Sequence, residues 1–305
     1  MGGSLDSARA SDNPIIESIE DHPWESRFVF NTAMIRLGGR IHYFYRAMGE
    51  DNISRIGYAS SKDGYHIDKR LPYPVLEPSN QLEKYGCEDP RLTLLEGKYV
   101  MTYTAYGDIY QIGITTISPQ NILNNNWVWG ERQYPFPHTL NKNAVIFSRK
   151  IQGRYVMLHR LEPDICLAHS EDMQSWIHSN VLMEPRPDRW DSLKIGAAGP
   201  PMEIEEGWLL VYHGVDDDKI YRLGAVILDK NNPLRVLGRT EEPILEPQME
   251  YERFGQVPNV VFSCGSVILG DKLVISYGAA DTVIGVATLQ LDDIFQKCVC
   301  ARVRV

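Results

Sequence analysis

"YGCEDPRLTLLEGKYVMTYTAYG", Tyr85 to Gly107, carries the fold and raises the question of function together. Gly97 sits between two runs rich in Leu, Val, Thr and Tyr. A turn residue flanked by β-branched and aromatic runs predicts an antiparallel hairpin. In front of it stand Glu88, Asp89, Pro90 and Arg91. Acids beside a proline commonly start a strand from a solvated turn, so this tetrapeptide reads either as a loop or as a site.

The hairpin recurs. "GRIHYFYRA" from Gly39, "GKYVMTYTA" from Gly97, "GRYVMLHRL" from Gly153, "GWLLVYHGV" from Gly207 and "DKLVISYGA" from Asp271 share one pattern. A second strand follows each of them, and these too are alike, in "RIGYASSKDG", "QIGITTISPQ", "DICLAHSEDM", "RLGAVILDKN" and "VIGVATLQLD". A further strand precedes each turn, in "FNTAMIRL", "EDPRLTLL", "NKNAVIFSRK", "GPPMEIEE" and "VPNVVFSCGSVIL". Units of three or four antiparallel strands, about 55 to 60 residues apart, fill the 305-residue chain. A ring of small sheets repeats such a meander without long exposed edges. The expectation is an all-β, five-bladed β-propeller with a central funnel. It forms one domain over residues 1–305, with 1–25 as an N-terminal extension. A β-sandwich would not produce five in-phase repeats, and an α/β fold needs long amphipathic helices. The nearest helix candidates, "PIIESIED" and "QNILNNN", are short.

A net charge of −9 with scattered basic residues argues against nucleic acid or an anionic membrane as partner, so any anion site must be local. The five cysteines (Cys87, Cys166, Cys264, Cys298, Cys300) are widely spaced with no CxxC pair, and read as reduced thiols in a cytoplasmic protein rather than zinc ligands. "MGGSLDSARASDNP" has no apolar core for a signal peptide, "MGGSLD" lacks the Ser or Thr of a myristoylation signal, and no run approaches a membrane span.

In a propeller the innermost strand of each blade lines the axis, so its approach delivers side chains to one mouth of the funnel. Aligned by the repeat, the approaches carry Phe30-Asn31, Glu88-Asp89, Lys142-Asn143, Gly199-Pro200 and Pro258-Asn259. The ends of the next strands carry Arg46, Thr104, Arg160, His213-Gly214 and Gly278. Asn and Asp at strand ends often serve only to satisfy backbone groups. Asp89 grouped with Lys142, Arg160 and His213 suggests more: a general acid facing an anion site, since Lys, Arg and protonated His hold phosphate. Glycoside cleavage normally needs two carboxylates. A phosphate nucleophile removes the need for the second, and the reaction becomes phosphorolysis. Most of the aromatic residues near these strands (Tyr43, Tyr45, Tyr103, Tyr106, Trp127, Trp129, Trp208, Tyr212) are expected in the core, with a few at the mouth to stack on a sugar.

In order, "FNTAMIRL", "CEDPRL", "YVMTYTAY", "NKNAVIFSRKI", "KIGAAGPP", "GWLLVYHGV", "YRLGAVILD", "YERFGQVPNVVF" and "YGAADTVIGVAT" resemble glycoside hydrolase family 130, the inverting β-mannoside phosphorylases and related β-mannosidases. The resemblance implies that Asp89 is the general acid, protonating the glycosidic oxygen through the O3 hydroxyl of the bound mannose. Phosphate then attacks the anomeric carbon from the opposite face and releases α-mannose 1-phosphate. It implies phosphate binding by Lys142, Arg160, His213 and Tyr221, and mannose binding by Asn31, Thr32, Arg46, Lys194 and Asp281. Position 142 is Arg in some members; Lys keeps the charge but loses the bidentate fork. Glu88 stands where some relatives carry Tyr, and the resemblance gives it no role.

Family hydrolases lack the basic set and activate water with carboxylates, so the cations favour phosphorolysis. The expected partners are a β-linked manno-oligosaccharide, β-1,2 before β-1,4, and inorganic phosphate as co-substrate. No metal or organic cofactor is expected, and a homo-oligomer is left open. The alternatives are a hydrolase on the same fold and a non-catalytic sugar-binding propeller.

Overall fold

Each sequence unit folds into an antiparallel meander running outward from an inner strand. In a computed structural model describing residues 8–300, the inner strands are Phe28–Leu37, Gly86–Leu95, Lys142–Ile146, Lys194–Ala197 and Val261–Leu269, heading blades 1 to 5. The second strands are Arg40–Met48, Lys98–Tyr106, Tyr155–Leu161, Trp208–Val215 and Lys272–Ala279, each followed by a third strand. Blades 1 and 2 touch edge to edge through one parallel pair, Ser54 opposite Gly86.

Ring closure follows from where the apolar side chains go. Five hydrophobic clusters fill the gaps between neighbouring blades: 1 with 2, 2 with 3, 3 with 4, 4 with 5, and 5 with 1. The last gap holds Val29, Met34 and Tyr43 of blade 1 against Val267, Val274 and Val286 of blade 5. Both faces of every sheet are therefore covered, and the five-bladed propeller is the architecture.

The chain start takes part in this closure. Ala8–Arg9 pairs with Val283–Gln290 as the outer strand of blade 5, and Ile16 bridges Ile284. The "MGGSLD" start lies outside the described residues. Cys87, Cys166, Cys264 and Cys298 are buried free thiols. No helix among the described residues is long and apolar enough to cross a membrane. Of the helix candidates, only the second is helical, over Pro119–Leu123. A helix not expected from the sequence, Leu291–Cys300, inserts Ile294 and Cys298 between blades 4 and 5.

Four blades share an internal lock. Tyr45, Tyr103, Tyr212 and Tyr277 on the second strands stand opposite Gly57, Gly113, Gly224 and Gly285 on the third. The ring lies across the glycine: a Cβ on Gly113 would come within 2.4 Å of the Tyr103 ring. Each hydroxyl donates to a fully buried carboxylate: Glu25, Glu83, Asp191 or Glu252. Each carboxylate in turn accepts from an arginine near the blade's outer edge: Arg70, Arg132, Arg239 or Arg9. A buried charge is tolerated only when paired and hydrogen-bonded, so removing one member strands the others. In blade 3 the place is taken by His159 opposite Cys166, and burial together with His178 lowers the His159 imidazole to about 4.

Backbone pairing corrects two of the expected alignments. Arg46, Thr104, Arg160, His213 and Gly278 do share one register, opposite Phe30, Glu88, Lys142, Gly196 and Phe262. In blade 4 Ala197 pairs with Tyr212 as Thr32 does with Tyr45, so no residue there is in phase with Asn31 and Asp89. In blade 5 the residue that follows Phe262 into the register shift is Ser263; neither Pro200 nor Asn259 holds the position. In blade 4 the Gly199-Pro200-Pro201 step interrupts the inner edge, and pairing resumes at Met202–Glu203. That punctuation falls within the path of the inner edge rather than at its start, which displaces an alignment based on it.

Candidate active site

The inner strands of blades 1 to 3 each carry a bulge at the mouth. Phe30 pairs with Arg46 and Thr32 with Tyr45, leaving Asn31 over; the same shift brackets Asp89 in blade 2 and Asn143 in blade 3. All three residues adopt the left-handed backbone region, with φ of 47°, 52° and 57°. Asn and Asp tolerate that region best after Gly, and a bulge re-aims the extra side chain. Three blades thereby turn a polar side chain toward one point. The Asn31 amide donates to Asp89 Oδ1 over 2.9 Å.

A cavity of about 180 Å³ opens there, lined by Asn31, Arg46, Asp89, Lys142, Asn143, Arg160, Tyr221 and Asp281, with Val257, Val260 and Phe262 on the blade 5 side. Seven of the ten residues expected at the site converge on it. Wider hollows of about 610 and 700 Å³ lie elsewhere, by Trp24 and by Phe295, without such converging buried charge.

Three expected residues stand outside the lining. The Thr32 hydroxyl is buried and donates to the carbonyls of Ala33 (2.9 Å) and Phe44 (3.2 Å), stitching the bulge. Lys194 is 3.5 Å from Glu162, a carboxylate that also lies 3.7 Å from Arg160. His213 lies fully buried behind the wall, its ring 4.6 Å from that of Phe262 and 6.1 Å from that of Tyr221. Burial, with Arg160, Arg91 and Lys194 adding to it, pushes its imidazole well below the usual range. The expected third cation is a neutral ring.

Arg91 is the member that sequence reasoning left unassigned. It is almost wholly buried and reaches across the axis, donating to Ala198 O (2.7 Å) and to the carbonyl of Asp89 itself (2.8 Å). Its presence in the Glu-Asp-Pro-Arg stretch was the available signal.

Burial works to raise the Asp89 carboxyl, but Arg46, Lys142, Arg91 and the Asn31 hydrogen bond outweigh it and hold it below the ordinary range. Asp281, with fewer compensating partners, is pushed up to about 6, mainly by burial. Burial lowers Lys142 and Arg160, and raises the Tyr221 phenol. The site is thus an ionised carboxylate enclosed by Arg46, Lys142 and Arg160, with a second carboxyl titrating near neutrality. Such a set can seat an anion and move a proton.

Comparison with known proteins points to one family. The family model described as beta-1,4-mannooligosaccharide phosphorylase, of glycoside hydrolase family 130, matches residues 7–299. A 1,2-beta-oligomannan phosphorylase of Thermoanaerobacter sp. (strain X514) is 43% identical over 295 residues, 94% of this chain and 98% of its own. A beta-1,2-mannobiose phosphorylase of the same organism is 42% identical over 301 residues, 94% and 98% of the two chains. Among solved structures, the beta-1,2-mannobiose phosphorylase of Listeria innocua in complex with beta-1,2-mannobiose superposes with a TM-score of 0.84 at 27% identity, over 96% of this chain and 99% of that one.

Proposed function

The chain belongs to glycoside hydrolase family 130, and we propose that it performs inverting phosphorolysis of β-mannosides, releasing α-mannose 1-phosphate. The observation that carries the reading is the convergence of Asp89 with Arg46, Lys142 and Arg160, from three blades, on one cavity. Arg160, Lys142 and Tyr221 seat inorganic phosphate; Asn31, Arg46 and Asp281 hold the mannose. Asp89 gives its proton to the O3 hydroxyl of that mannose, which passes its own to the glycosidic oxygen. A phosphate oxygen attacks the anomeric carbon from the other face as the glycosidic bond breaks. Inorganic phosphate is then a co-substrate, and the reaction needs no metal or organic cofactor.

The names of the two Thermoanaerobacter relatives favour β-1,2-linked manno-oligosaccharide over β-1,4. The buried free thiols support a cytoplasmic setting. Hydrolysis is the rival reading, with Asp281 the only other carboxylate in the cavity lining to activate water; three neighbouring cations favour the anionic nucleophile instead.

Incubation with β-1,2- and β-1,4-mannobiose, each with and without inorganic phosphate, tests this. The expected product is α-mannose 1-phosphate, from the β-1,2 substrate first. Free mannose formed equally well without phosphate would establish the hydrolase.

A further inference from the structure

Glu88 is 3% exposed, adjoins the proposed acid and is absent from the cavity lining. Its side chain passes behind the two cations. Arg46 Nη2 donates to Glu88 Oε1 over 2.7 Å, and Ser54 Oγ lies 3.4 Å from the same oxygen. Lys142 Nζ is 3.5 Å from the other oxygen, Oε2. Arg46 is further fixed by Ser54 (2.9 Å) and by the Phe30 ring (4.6 Å), and Lys142 by the Tyr110 ring (3.8 Å). One carboxylate therefore spans a cation assigned to the sugar and a cation assigned to phosphate.

We propose that Glu88 is a positioning residue for the anionic co-substrate: it ties Arg46 to Lys142 from behind the cavity and presents Lys142 to phosphate as a fixed ammonium. The inference rests on the phosphorylase reading. Lysine needs such support where arginine does not, because an enclosed ammonium gives up its proton far more readily than a guanidinium. Burial lowers Lys142, and Glu88 is foremost among the groups that oppose this. The other charged groups facing Lys142 are of both signs, Asp89 of blade 2 and Asp281 of blade 5 against Arg46 of blade 1 and Arg160 of its own blade, with the Tyr110 ring of blade 2 beside them. Glu88 is the carboxylate whose oxygen lies nearest the Lys142 ammonium, at 3.5 Å.

The test is steady-state phosphorolysis at varied phosphate and pH with the full chain, its E88Q, E88D and K142R variants and the E88Q/K142R double variant. E88Q is expected to move the alkaline rise of the phosphate KM down by about one pH unit, the size of a single close charge pair. In the K142R background the same substitution is expected to move it little, because the guanidinium does not titrate. E88D keeps the charge slightly withdrawn and should give a smaller shift in the same direction, which serves if E88Q proves unstable. No shift in either Glu88 variant, or an equal shift in the K142R background, overturns the proposal. Cleavage by the unsubstituted protein without phosphate would instead remove the phosphorylase reading, and this inference with it.

Discussion

Asn31 and Asp89 are joined by a 2.9 Å hydrogen bond across the gap between blades 1 and 2, each standing on a left-handed bulge of its own inner strand. The bond aims the carboxylate and, with the nearby cations, favours its ionised form. An isolated carboxylate in such a pocket would tend to protonate. Here the ring geometry directs three polar bulges to one point, so the acid is placed by backbone conformation as much as by side-chain packing.

Asp89→Asn should therefore keep the fold. Asparagine already occupies the same left-handed position at Asn31 and Asn143, so the backbone accepts it. Turnover should fall by about 10²–10⁴, the usual contribution of a general acid, with the thermal midpoint little changed. Loss of folding would return Asp89 to a purely structural role.

The protonation of that acid should depend on the co-substrate. Held low by Arg46, Lys142 and Arg91, Asp89 is a carboxylate at neutral pH in the free protein. Phosphate seated on Lys142 and Arg160 competes for that positive charge and favours the carboxyl form. Asp89 works in its carboxyl form, so its pKa sets the alkaline limb of the profile, and that limb should lie at higher pH in kcat than in kcat/KM for phosphate. Profiles with the same alkaline-limb pKa in both would contradict this coupling.

The hairpins and their fivefold repetition were legible because strand alternation and turn residues are local features. The Tyr–Gly pairs were equally present in the quoted strands, yet nothing in the chain alone shows that Tyr103 covers Gly113 and reaches Glu83. Two long-range facts stayed hidden: the Gly199-Pro200-Pro201 interruption that offsets blade 4, and the two-residue strand Ala8–Arg9 that completes blade 5. At the site, residue type did not reveal environment. His213 shares the register of Arg46 and Arg160, but Gly196 opposite it and the Phe262 ring leave it enclosed and neutral.

The Tyr–Gly lock can be tested away from the site. Gly113→Ala places a methyl 2.4 Å from the Tyr103 ring, which is anchored to the fully buried Glu83. Overpacking of this kind costs about 1–3 kcal/mol. Gly97→Ala meets no atom within 4 Å, and its φ of 79° leaves only a backbone penalty of about 1 kcal/mol. Denaturant unfolding should rank Gly113→Ala as the more damaging, and the reverse order would count against the lock.

Arg160→Ala should raise the phosphate KM by about 10- to 100-fold, as expected for a lost charged hydrogen-bond donor worth about 1.5–3 kcal/mol, while the mannoside KM changes much less. Arg160→Lys should recover part of the loss, because the charge returns without the fork. Equal effects on both substrates would place Arg160 outside the phosphate seat.

Asp281 offers a check in which chemistry plays no part. Its carboxyl is raised from an ordinary value of 3.8 to about 6 in the folded protein, chiefly by burial. A group raised on folding contributes stability that is complete below its unfolded pKa and disappears as pH climbs through its folded pKa. The protein should therefore lose stability from this residue between about pH 4 and pH 6. Two pKa units set a ceiling near 3 kcal/mol; partial exposure at the cavity wall should bring the loss to about 1–2 kcal/mol. Asp281→Asn lacks the titration. Measured without phosphate, the stability of the variant relative to the unsubstituted protein should rise across this window and level off above it. A difference independent of pH would mean that Asp281 ionises in the folded protein as it does in the unfolded chain.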